Sequence, residues 1–302
     1  MTNKKIELVE VGPRDGLQNE PEILSSSMKV EMIHRLLECG CKRLEVASFV
    51  HPKVVPQMAG AEDVISQLPD LQDVTYIGLT LNKKGVIRAL DTKIAGARGV
   101  DQVGCVVVAS DTFGQKNQGQ TIAEGIAENK DMIRFAKAEG LRAQVTISAA
   151  FGCPFEGKVL PETILSIAEE LAVEEPEEIA LADTIGVGTP SEVSELFGRL
   201  SDLLKDKIPM RAHFHNTYGT GIANAWAAYQ VGVLTFDASI GGLGGCPFAP
   251  NATGNIATED LIYMLERSGI QTGVDLEASI ATNRWLTEKL GRQLPSMVAR
   301  AA

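Results

Sequence analysis

The stretch IELVEVGPRDGLQNE, Ile6 to Glu20, begins as a strand and ends as a turn. Branched apolar residues alternating with glutamates predict a strand over 6–11, and Gly-Pro-Arg-Asp-Gly behind it predicts a tight turn. The residues just after the first strand separate two α/β architectures. An open doubly wound sheet that binds a dinucleotide carries spaced glycines there, G-x-G-x-x-G. This chain carries Arg14 and Asp15 instead.

Seven more short runs rich in Val, Ile and Leu lie downstream, at 43–48, 74–80, 102–108, 143–149, 178–183, 210–215 and 233–239. Between them are longer stretches with apolar residues at helical spacing, among them 26–40, 122–140, 163–172, 190–204 and 220–232, several ending in Gly. Eight alternations, starting roughly 25 to 40 residues apart, predict parallel strands joined by right-handed helical crossovers. The expected fold is an α/β (β/α)8 TIM barrel with extra C-terminal helices, the segment 253–291 reading as two closing helices. No linker or repeat divides residues 1–302, so one barrel domain is expected.

Bulk properties narrow the function. The 302 residues are 44% hydrophobic and 22% charged, with a net charge of -11. That balance suits a soluble globular protein, and the negative field argues against nucleic acid or an anionic membrane as partner. No window reaches the roughly 18 consecutive apolar residues of a membrane span, and the N-terminus shows no signal-peptide stretch, so a cytoplasmic protein is expected. The five cysteines are odd in number and contain no C-x-x-C pair, which fits neither a disulfide framework nor a four-cysteine zinc site.

A barrel places its chemistry at the C-terminal ends of its strands. Arg14 and Asp15 follow the first strand, Glu45 lies in the second, Asp183 closes the sixth, and His213 and His215 close the seventh. Residues two apart share a strand face, so the two imidazoles of His-Phe-His can point together. Alone, that pair fits either a hydrogen-bonded strand end or a metal site. With Asp15 and the Asn255 loop after the eighth strand, the donors suit Mg2+ or Mn2+, and Zn2+ less well. Arg14 reads either as an ion-pair partner of Asp15 or as a substrate cation. The loop 241–255 holds five glycines, two prolines and Cys246; it fits a plain surface loop or a mobile one carrying a reactive thiol. Ordinary helix and loop roles suit His34 and His51, and Cys39 and Cys41 read as small buried residues at a helix end.

Six ordered motifs, VEVGPRDGLQNE, LEVASFVHPKVVPQM, FGCPFEGKV, LADTIGVGTP, HFHNTYG and GGLGGCPFAPNATGNIATEDL, together resemble the 3-hydroxy-3-methylglutaryl-CoA (HMG-CoA) lyase family of metal-dependent barrel lyases and synthases. The resemblance implies Asp15, His213, His215 and Asn255 as ligands of a divalent metal, Arg14 as the substrate-binding arginine, Glu45 and Asp183 as acidic groups of the site, and Cys246 as the cysteine of the active-site loop. It implies an acyl-CoA substrate cleaved between C2 and C3, HMG-CoA giving acetyl-CoA and acetoacetate, with Asp183 or His213 as base. A homo-oligomer, dimer or larger, is expected. Human-like members of the family have Asp where Asn216 stands and Ser where Ala180 stands. Those departures spare the metal set and keep a related substrate, citramalyl-CoA, in view beside a condensing synthase and a catalytically silent metal-binding protein.

Overall fold

Strand β2 (Arg43–Ser48) is buried at every position, as a strand must be when a packed interior lies on one side and helices on the other. The computed structural model describes residues 5–93, 98–245 and 254–302. Among them, β1 (Glu7–Glu10), β2, β3 (Thr75–Leu79), β4 (Gln102–Val108), β5 (Arg142–Ser148), β6 (Ile179–Asp183), β7 (Met210–Phe214) and β8 (Thr235–Ala238) pair in chain order. Every pairing is parallel, and β8 closes the cylinder on β1 with Leu8 opposite Phe236. The expected (β/α)8 barrel is the observed one. Strands β2 and β4 have their predicted bounds, and the others shift by two residues or fewer at each end.

The helices are α1 (Ser26–Glu38), α2 (Ala61–Ser66), α3 (Lys83–Asp91), α4 (Asp111–Gln118), α5 (Ile122–Ala138), α6 (Pro161–Ala172), α7 (Pro190–Leu204), α8 (Gly221–Gln230), α9 (Thr258–Arg267), α10 (Leu276–Leu290) and α11 (Met297–Ala301). Local chemistry sets their starts. Thr121 and Thr189 each open a helix with a reciprocal bond to a glutamate three residues on, and Pro190 occupies the first turn where its missing N–H costs nothing. Helix α5 then turns Ile126, Met132, Ile133 and Ala136 inward, the spacing of one buried helical face. Helices α9 and α10 are the two expected closing helices. The short α11 is a third, held by Asp260, which accepts from Ser296 Oγ and the amides of Met297 and Val298. No helix among the described residues is long and apolar enough to cross a membrane.

Inside the barrel, a small apolar cluster of Val9, Val11 and Ile77 adjoins a polar layer. Arg43 there donates to both oxygens of Glu178, at 2.9 and 2.7 Å, and to Gln102 and Gln144. Arg211 donates to Thr146 at 3.2 Å and lies 3.5 Å from Asp237. Charge removed from water is tolerated only when compensated in place, and these pairs bury it together.

On the outer side of β1, Glu10 is fully buried and joins the two ends of the barrel seam. It accepts from Gly12 N at 2.8 Å, Ile240 N at 2.9 Å and Thr258 Oγ1 at 2.6 Å. A Cβ on Gly12 would stand 2.6 Å from the Glu10 carboxylate, so only glycine fits. Glu259 repeats the device, accepting from Gly241 N and from Asn283 Nδ2; Gly241 has φ 68° and abuts Leu294.

Burial pushes the Glu10 carboxyl up to about 7 and that of Glu259 up to about 8, their hydrogen bonds offsetting only part of the desolvation. A carboxyl raised in the folded state contributes its full stability below the ordinary value near 4.5 and loses it as pH climbs through 7 to 8. Between pH 5 and 8.5 the protein is therefore expected to lose on the order of 2 kcal/mol more than Glu10→Gln. Urea unfolding at a series of pH values measures this, and parallel profiles would mean that Glu10 titrates normally.

Candidate metal centre

The Gly-Pro-Arg-Asp-Gly turn winds more widely than an α-helix: the Gly16 amide reaches back to Val11 O at 3.1 Å, five residues away. Such single wide turns recur at functional sites because they re-aim adjacent side chains. Here they present Arg14 and Asp15 to the mouth. Both readings of Arg14 meet in the structure. Its Nη1 donates to Asp15 at 2.5 Å, while Nε and Nη2 donate to the two oxygens of Glu45 at 2.7 and 3.0 Å. Glu45 sits at a register irregularity between β2 and β3, where an extra residue turns a side chain off the regular alternation.

From the opposite wall, β7 supplies His213, and His215 lies just beyond its end. Asn255, forty residues further on, reaches them through a short antiparallel ladder: Asn216 N donates to Gly254 O and Ile256 N to Phe214 O, both at 3.0 Å. Ligand atoms of Asp15, His213 and His215 lie within 4.8 Å of one another, and Asn255 Nδ2 donates to Asp15 Oδ2 at 2.8 Å.

The electrostatics suit a cation. Burial opposes ionisation of Asp15, but the Arg14 charge, then the two histidines, outweigh it and hold the carboxyl well below the ordinary range. Asp237 is likewise held low, burial being overcome by Arg211 and His213. Its ionised Oδ2, 3.0 Å from His213 Nδ1, must accept, so Nδ1 carries the proton and Nε2 keeps its lone pair. Burial lowers the His213 imidazole, but that bond together with the charges of Asp237 and Asp15 outweighs it and raises the group. A carboxylate behind an imidazole fixes ring and tautomer as it does behind metal-bound histidines. Asn255 Oδ1 and His215 Nδ1 are buried without a hydrogen-bond partner. One carboxylate, two imidazoles and an orphan amide oxygen form a donor set that fits a divalent ion.

Arg14, Asp15, Glu45, His51, His213 and His215 line a cavity of about 690 Å³. Asp183 is not among its lining residues but is buried within electrostatic reach of His213 and His215. Burial raises its carboxyl, and its oxygens accept from Val187 N at 3.0 Å and Gly188 N at 2.9 Å, shaping the turn after β6. Cys246 lies outside the described residues. Two contributors, Arg211 and Asp237, are absent from the candidates that the sequence suggests. Each lies on a strand as a charge among apolar neighbours, and Arg211 shares the parity of His213 and His215, so the period of two contained the signal.

A parallel barrel with a carboxylate-imidazole cluster and a buried arginine at its C-terminal rim defines a metal-assisted barrel enzyme. The chain belongs to the HMGL-like family, whose model matches residues 5–285. It is 42% identical to the (R)-citramalyl-CoA lyase of Chloroflexus aurantiacus, over 98% of this chain and 94% of that one. With the hydroxymethylglutaryl-CoA lyase of Pseudomonas mevalonii it shares 41% identity over 95% and 93%. An A. baumannii HMG-CoA lyase solved with coenzyme A and 3-methylmalate superposes with a TM-score of 0.93 at 37% identity, covering 100% of this chain and 96% of that one.

His215→Ala is expected to lower Mn2+ affinity more than about 100-fold, and Asp237→Asn about tenfold, without unfolding the barrel. Calorimetric titration beside circular dichroism reads both; undiminished stoichiometric binding by the His215 variant would remove the residue from the centre.

Proposed function

We propose that this protein is a carbon–carbon lyase that splits HMG-CoA into acetyl-CoA and acetoacetate. The convergence of Arg14, Asp15, His213 and His215 on one cavity at the C-terminal rim carries this reading. Cleavage between C2 and C3 needs the 3-hydroxyl to lose its proton while the bond's electrons pass to the thioester as an enolate, which then takes a proton at C2. Asp15, His213, His215 and Asn255 form the donor set for Mg2+ or Mn2+, which would supply Lewis acidity at the hydroxyl.

Arg14 stabilises the charge that grows on the thioester oxygen. Glu45 and Asp15 hold its guanidinium from two sides, so it is oriented before the substrate arrives. Of the two bases legible in the sequence, Asp183 is committed to loop amides, whereas His213 lines the cavity. We assign the hydroxyl proton to His213 Nε2; its one lone pair would then serve as base and not as ligand, and Asp15, His215 and Asn255 are the residues that would hold the ion. On sequence grounds, Cys246 delivers the proton to the enolate; a thiol titrates far closer to neutrality than a serine hydroxyl.

A second reading, cleavage of citramalyl-CoA to acetyl-CoA and pyruvate, is favoured by the 42% identical relative and by Ala180 and Asn216 in place of the family's Ser and Asp. Incubating the purified protein with Mn2+ and each thioester, and identifying the ketone product, separates the two; at least tenfold higher kcat/KM for HMG-CoA is expected, and the reverse ratio moves the assignment to citramalyl-CoA.

Arg14→Met is expected to lose about 100-fold or more in kcat, since the interaction belongs mainly to the transition state, with Mn2+ binding little changed. Activity within about tenfold of the parent would be too high for that role. Cys39, Cys41, Cys105 and Cys153 are all buried, so iodoacetamide on the folded protein is expected to label Cys246 first and abolish turnover. Full activity after complete labelling there would make the thiol a bystander.

A further inference from the structure

Three buried or nearly buried arginines meet the interior of the barrel among the described residues, and they are not equally engaged. Arg14 is occupied by Asp15 and Glu45, and Arg43 by Glu7, Glu178, Gln102 and Gln144. Arg211, 2% exposed, donates only through Nη2 to Thr146, and its Nε and Nη1 have no hydrogen-bond partner. The nearest carboxylate oxygens to Nε stand 3.5 and 3.9 Å away, on Asp237 and Glu178. A guanidinium taken out of water normally has its donors met. Arg211 also lines the cavity that holds the metal cluster.

Two further observations say what kind of group would meet them. The register sets Thr146 opposite Ala180 and Ala180 opposite Arg211, so the guanidinium reaches Thr146 across a single methyl group. Ala180 is fully buried, and a longer polar side chain there would take the same space. The two unmet donors belong to a cation, so an ionised carboxylate, which accepts charge-assisted hydrogen bonds, meets them better than a neutral acceptor.

From this geometry we infer that Arg211 is the receptor for the free carboxylate of the substrate's acid half, fixing it at the floor of the cavity beside the metal centre. The inference rests on the acyl-CoA lyase reading and deepens it: the substrate is a 3-hydroxyacyl-CoA with a second, ionised carboxyl group, and Arg211 is the residue that demands it. A neutral analogue would leave two buried guanidinium donors poorly met, the situation that makes a polar pocket discriminate far more sharply than an apolar one.

Arg211→Lys keeps the positive charge beside Asp237 and Glu178 but loses the planar donor array, and Arg211→Met removes both. In the Mn2+-loaded parent, acetoacetate is expected to bind at least about tenfold more tightly than acetoacetamide by calorimetry, and that preference is expected to fall below about threefold in both variants. With HMG-CoA, KM is expected to rise about 30-fold or more in Arg211→Lys while kcat stays within about fivefold, with Mn2+ affinity unchanged. A parent without carboxylate preference, or variants that retain it, overturns the assignment. Arg211-dependent preference in a protein that cleaves no thioester of the panel would sink the lyase reading and leave the carboxylate receptor standing.

Discussion

Charge buried inside a closed barrel must be compensated where it stands, and the site of this protein is built outward from that constraint. Glu178 neutralises Arg43, and Asp237 stands between Arg211 and His213, close to both. Because Asp237 stays ionised, it can only accept, and that decides which nitrogen of His213 faces the cluster. The donor geometry at the rim thus depends on an ion pair with the neighbouring strand. The same constraint explains why Arg14 and Asp15, adjacent in sequence and opposite in charge, can both serve the site. Asp15 is kept ionised by its neighbour, and Arg14 is kept in place by Asp15 and Glu45.

Most of the scaffold and much of the site were legible in the sequence, for reasons that can be located. A strand buried on both faces reads as an unbroken apolar run, and eight such runs separated by helical periods admit few arrangements. Rim residues were found because polar side chains at the ends of those runs have one destination, the mouth. Asn255 was placed through its glycine-rich motif; its approach to His215 needed the ladder between 214–216 and 254–256, which no local pattern encodes. Helices α2, α3 and α4 have six, nine and eight residues and α11 has five, too few turns for a period to stand out in the sequence.

What escaped was pairing across long sequence separations. Nothing local says that Glu10 will find Ile240 and Thr258, or that Arg211 will be left with donors to spare. Asp183 shows the converse. Its place at the end of a strand is the position of a functional carboxylate, yet Gly188 folds back against it and two amides take its oxygens. A strand end tells which rim a residue belongs to, while the loop after it decides what its side chain is left free to meet.

The helices beyond the eighth strand take on a different meaning once Glu259 is considered. Its carboxyl grips the Gly241 amide on one side and Asn283 on the other, and Ser296 N donates to Gly241 O. The turn after β8 is therefore clamped by residues that a ribosome adds eighteen to fifty-five positions later. The eight strands can all have emerged while this edge of the mouth is still unsupported. The edge of the cavity therefore cannot be complete before those last helices have been made and packed.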